Sequence, residues 1–72
     1  MANTKGKRPN LVVIHQAMID LDIGPTELAR RLGLAGRSSV TNAMRAPGWS
    51  RDRARRWARV LKVKVDDILL EG

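Results

Sequence analysis

Cysteine, tyrosine and phenylalanine are all missing from this 72-residue chain, and histidine occurs once. Without cysteine there are no disulfides and no thiolate metal sites. His15 has no partner of its own kind and lies off the centre of an apolar stripe. It therefore reads as a surface or boundary residue, neither metal ligand nor catalytic base. Two tryptophans are the whole aromatic complement, too few for the stacking surfaces of single-strand binders. No Gly-rich phosphate loop leads into Lys-Ser/Thr, and no carboxylates pair in an apolar setting. Asp66 and Asp67 are neighbours on a terminal segment and read as charges at a helix start. The chain is therefore expected not to be an enzyme: no catalytic residues, no metal, no cofactor and no small-molecule substrate. No apolar run approaches the roughly 18 residues of a bilayer span, and no signal-peptide core appears. A soluble chain with no membrane partner is expected, most simply cytoplasmic.

Negative charge is scarce in the middle of the chain. Overall there are 14 Lys and Arg against 7 Asp and Glu, a formal net charge of +7. From Arg30 to Lys64 there are eleven basic residues and a single acidic one, Asp52. The other acids sit outside, at Asp20, Asp22, Glu27, Asp66, Asp67 and Glu71. Such segregation implies a surface that meets a polyanion, nucleic acid before membrane. The plain alternative is a basic protein that is merely soluble. The length makes one small domain, which buries only about 60% of its unfolded surface. Strand-forming residues are scattered, so an all-α fold is expected.

Residues 24–48 organise the rest. Gly24 reads as an N-cap with Pro25 at the first helical position, where a missing N–H costs nothing. Glu27 falls where a carboxylate satisfies an orphan N–H and opposes the positive helix end. Leu28, Ala29 and Leu32 share one face, and Gly33 supplies a left-handed stop. A second helical pattern centres on Val40, with Ala43 and Met44 on the same inward side. Its other side carries Arg37, Ser38, Thr41, Asn42 and Arg45, with no carboxylate. Short hydrogen-bonding side chains flanked by arginines suit base edges and phosphates. Small Ala29, Gly33 and Val40 favour a close, steep helix crossing, as in a helix-turn-helix.

The motif Leu28-Ala29-Arg30-Arg31-Leu32-Gly33-Leu34, followed by the inward aliphatic Val40, resembles the lambda-repressor/Cro-type (XRE-like) helix-turn-helix family. The spacing from Gly33 to Val40 is slightly longer than the family's usual one. The resemblance implies a compact five-helix DNA-binding domain with the helix-turn-helix at helices 2–3, over residues 10–72. It implies base contacts from Arg37, Ser38 and Asn42, with Ser39 and Thr41 reaching bases or phosphates. Thr26 matches a backbone-clamping position, and Arg45 is placed for phosphate.

The remaining chain fits around this unit. Residues 1–9 lack apolar periodicity and carry Lys5, Lys7 and Arg8, which reads as a flexible basic arm for the DNA backbone or a groove. Asn10 caps a helix to about Leu21, with Leu11, Ile14, Met18 and Leu21 on one stripe and Ala17 beside it. Ala46-Pro47-Gly48 breaks the chain. Ser50 then caps a helix to about Leu61, with Trp49 as a hydrophobic staple near Ala54. Ala54, Trp57, Ala58 and Leu61 form its inward stripe. Arg51, Arg55 and Arg59 form an outer row, with Arg53 and Arg56 on a second. Such like charges repel unless an anion joins them. Arg51 and Arg53, at the helix start, are best placed for phosphate. The arginines towards Arg59 also fit a solvated face. A last helical turn or two spans Asp66 to Leu70, and its apolar excess suggests a subunit contact through Leu69 and Leu70.

The expected function is sequence-specific binding of a double-stranded DNA operator. The protein would be a small phage-type or bacterial transcriptional regulator, probing the major groove with a helix at about 38–45. A homodimer, weak or induced by DNA, is the expected form. The setting is the cytoplasm of a bacterium or phage-infected host. Asn42-Ala43-Met44-Arg45-Ala46-Pro47 and the basic helix after it also suggest a Ner-like phage regulator. An antitoxin-type module with a protein partner, and a basic RNA-binding protein, are the alternatives outside that class.

Overall fold

Asn10 opens the first helix: its extended backbone and its side-chain oxygen, which accepts from the Val13 N–H at 3.3 Å, make a working N-cap. In the computed structural model, which describes residues 7–70, five helices follow in order. They are α1 (Leu11–Leu21), α2 (Pro25–Leu32), α3 (Arg37–Met44), α4 (Arg51–Leu61) and α5 (Val65–Ile68). The described residues contain no strand, only isolated antiparallel bridges. Ser50 caps α4 as Asn10 caps α1, accepting from the Arg53 N–H at 3.2 Å. Gly24 precedes Pro25 at the head of α2 as expected, without a side-chain cap. Glu27 does not turn back to the helix end. It reaches forward to Arg31 at 3.0 Å and Arg30 at 3.7 Å.

Three of the helices close in the same way. Asp22, Gly33 and Lys62, each just past a helix, adopt left-handed backbone with φ of 55°, 76° and 60°. The following residues, Ile23, Leu34 and Val63, return their N–H groups to Met18, Ala29 and Ala58 at 2.8–3.0 Å. This double closure satisfies the last carbonyls and folds an apolar residue back onto the helix it ends. Ile23, Leu34 and Val63 all pack against the core accordingly.

The core is contributed by every helix: Ile14, Ala17 and Met18 from α1, Leu28, Ala29 and Leu32 from α2, Val40 and Ala43 from α3, Ala54, Trp57, Ala58 and Leu61 from α4, and Ile68 from α5. Trp49, from the α3–α4 connection, completes it with 1% exposure. Its ring lies 4.6 Å from that of Trp57 at 52°, within the tilted geometry aromatic pairs favour. Burying one such ring removes about 150–250 Å² from water, worth about 4–6 kcal/mol. α3 packs chiefly on α2, while α4 touches α1, α2 and α5.

The sequence pattern placed Leu11 on the buried stripe of α1, yet Leu11 is 40% exposed. The stripe is narrower than the periodicity suggested because α1 packs chiefly on α4 and α5. Leu21 is half-buried. The expected flexible arm is docked at its inner end. The Trp49 N–H donates to the Lys7 carbonyl, Leu70 to that of Arg8, and Asn10 to that of Ile68, each at 2.8 Å, and Pro9 is buried. Residues 1–6, with Lys5 among them, lie outside the described residues. No helix is long and apolar enough to cross a membrane among the described residues.

Candidate nucleic-acid interface

α3 is amphipathic in an unusual sense, because its outer side is polar without acids. Val40 is 1% exposed and Ala43 8%, so these two fix which way the helix turns. With a residue every 100° or so around the axis, Arg37, Ser38, Thr41, Asn42 and Arg45 fall together on the far side. All five are exposed. Ser39 is half-buried, so it stands at the edge of this face and not on it. The Thr41 hydroxyl donates to the Arg37 carbonyl at 3.3 Å. Its proton is engaged within the helix, which leaves its lone pairs to accept from an outside donor. Asn42 keeps both amide functions uncommitted among the described residues, and so offers a donor and an acceptor side by side.

Two neighbouring elements border the face. Gly24 and Pro25, at the head of α2, line one groove together with Val40, Thr41 and Arg45. Thr26, the next residue of that first turn, is exposed. At the other end, the Trp49 indole Nε1–H donates to the Ala43 carbonyl at 2.7 Å. That bond ties the start of α4 to the last turn of α3. The Trp49 backbone in turn holds the Lys7 carbonyl. Lys7, Arg45, Arg51 and Arg53 thus belong to segments that converge on one buried tryptophan.

Charge is distributed to match. In α2, Glu27 holds Arg30 and Arg31. Among the described residues, no carboxylate pairs with Arg37, Arg45 or the five arginines of α4, Arg51, Arg53, Arg55, Arg56 and Arg59. All seven are exposed. Repulsion among unpaired arginines on one helix is a standing cost that an anionic partner removes. No cluster of His, Asp and Glu among the described residues is arranged to hold a metal ion. His15 is exposed and lines the groove between α1 and α3.

The remaining expected site residues fall elsewhere. Leu69 is half-buried against the core and Leu70 is 43% exposed, its N–H bonded to the Arg8 carbonyl. Sequence reasoning did not anticipate the tie from Trp49 to Ala43 or the docking of residues 7–9. Both are backbone partnerships across long stretches of chain, and neither leaves a periodic signal. The exposed pair Val12 and Ile19 was not anticipated either, although its signal, two apolar residues one heptad apart off the buried stripe, stands in the sequence. No protein-family model, curated protein or solved structure matches the chain.

Proposed function

We propose that this chain is a sequence-specific double-stranded-DNA-binding regulator of transcription, of the small phage or bacterial kind. It works through a helix-turn-helix made of α2 and α3. The observation that carries the reading is the outer face of α3: five exposed residues, Arg37, Ser38, Thr41, Asn42 and Arg45, without a carboxylate, backed by buried Val40 and Ala43. A helix about 10–12 Å across matches a major groove about 12 Å wide. Asn42 offers the donor and acceptor that adenine N6 and N7 require, and Arg37 the two donors for guanine O6 and N7. Ser38 and the lone pairs of Thr41 supply further contacts, with Ser39 at the edge. Thr26, Arg45, Arg51, Arg53 and Lys7 serve the phosphates on either side, where charge sets affinity and register and not sequence.

α3 is eight residues long, about 12 Å, and so covers only about three to four base pairs. One copy reads too little to select an operator, which calls for a homodimer on two half-sites about one DNA turn apart. Such a protein works in the cytoplasm of a bacterium or an infected host. The test is selection from random duplex DNA at a stated salt concentration. A recovered motif of short, symmetric half-sites supports the reading; an unenriched pool, with binding that tracks charge alone, overturns it.

A further inference from the structure

Helix α1 keeps an apolar surface that the fold does not use. Val12 and Ile19 are 78% and 70% exposed, the most open large apolar side chains among the described residues. They stand two turns apart on the same side, with His15 between them. Beside this ridge runs the groove between α1 and α3 that also borders the α3 face, about 660 Å³, lined by Met18, Ile23 and Met44 and, on the α3 side, by Thr41 and Arg45. A second groove, of about 630 Å³, continues past Leu11 to Leu70.

The acids at the end of α1 are equally unexplained by the fold. Asp20 and Asp22 stand where the helix dipole is already negative. Asp22 holds left-handed backbone there as well, at φ 55°. Asp20 accepts from Gln16 Nε2 at 3.0 Å, and among the described residues neither acid has a cationic partner. α1 itself has no lysine or arginine. In a chain of net charge +7, it is the long helix a second copy approaches against least repulsion.

We propose that α1 is the contact face of a homodimer, with two copies packed antiparallel about a two-fold axis near His15. One operation then accounts for both oddities. Setting Val12 against the partner's Ile19 carries Asp20 and Asp22 over the first turn of the partner's α1. There they meet the positive helix end and the exposed Arg8 that precedes it. A two-fold contact needs a surface complementary to itself, and a ridge beside a groove of the same apolar character satisfies this. The contact moves the dimer surface from Leu69 and Leu70 to α1, with only Leu70 at its margin. It is a property of the free chain and does not depend on DNA binding.

Sedimentation equilibrium of the full chain without DNA, from micromolar to millimolar concentration, tests it. Wild type associates to dimers. Val12→Glu with Ile19→Glu, both at exposed positions, weakens association at least about tenfold, with circular dichroism melting as the check that the fold is kept. Asp20→Lys with Asp22→Lys also weakens it, and adding Arg8→Glu restores it. A wild-type chain that is monomeric throughout, an association constant indifferent to Ile19→Glu, or a charge swap without rescue would each overturn the contact. Because the chain has no cysteine, His15→Cys provides an independent reading. Oxidation should link the copies at the axis, whereas Arg59→Cys on α4 should stay unlinked; equal linking of both is the contrary result. Duplex binding is scored separately: dimers that fail to bind any duplex remove the DNA-binding reading and leave this one standing.

Discussion

Asn42 and Trp49 illustrate two ways a single residue matters here. The Asn42 side chain is exposed and makes no bond within the described protein, so removing its amide leaves stability within about 0.5 kcal/mol. In the proposed complex the same amide is a bidentate reader. Asn42→Ala should lose about 1–3 kcal/mol of discrimination at one base pair, seen as a flattened preference at that position in a randomised-site competition. Unchanged relative affinities across the library would remove Asn42 from the reading set. Trp49 is the reverse case. Trp49→Phe keeps most of the ring but deletes the Nε1–H that satisfies the Ala43 carbonyl. The Ala43 carbonyl still accepts from the Ala46 N–H at 3.1 Å, so the loss is that of one buried hydrogen bond, about 0.5–1.5 kcal/mol, measurable by urea unfolding. Because that bond also anchors the last turn of α3, affinity in the proposed DNA complex should fall at all sequences alike. Both side chains stood out in the sequence, but their roles were not equally legible. Exposure of Asn42 followed from its distance to Val40 along a helix, whereas the bond of Trp49 depended on a loop path that no local pattern encodes.

At the scale of the element, the helix endings are the most decisive feature. Gly33 sits at φ 76°, and nothing lies within 4 Å of where a Cβ would be. Gly33→Ala therefore meets no clash, and its cost is the backbone conformation alone, about 1–2 kcal/mol. Lys62 holds the same conformation with a side chain, at φ 60°. Lys62→Gly should accordingly stabilise the protein by up to about 1 kcal/mol, the relief of strain being partly offset by a more flexible unfolded chain. A thermal melt of the two variants side by side checks the opposite signs. Helix limits were legible to within a residue where caps were chemically explicit: Asn10, Gly24, Gly33 and Ser50 were each read correctly. The start of α3 was less so, because Gly36 offers no side-chain cap and its extended backbone leaves no mark in the sequence. The helix begins at Arg37, one residue before the expected Ser38. The left-handed closures at Asp22 and Lys62 were not foreseeable, since neither residue requires that conformation.

Charge acts at the scale of the whole molecule. In the proposed complex every phosphate neutralised by an arginine releases counterions, so affinity falls with salt in proportion to the number of contacts. Arg51→Ala and Arg53→Ala should each lower the slope of log affinity against log salt by about one. Arg55→Ala and Arg59→Ala, further along α4, should leave the slope unchanged. Titration of one duplex at several salt concentrations separates the two groups, and an equal effect from all four would place the entire helix on DNA.

Local pattern was enough to fix the all-helical class, the buried stripes of α2, α3 and α4, and the acid-free outer face of α3. These depend on spacing along one helix and on composition, which are local quantities. It took the folded chain to show that Lys7 to Pro9 lie docked, that Trp49 clasps α3, that Glu27 serves Arg30 and Arg31, and that α1 leaves Val12 and Ile19 open. Hydrophobic periodicity says that a face is apolar. Whether another element is there to cover it depends on contacts between residues far apart in the chain, and for α1 the fold supplies cover on one side only.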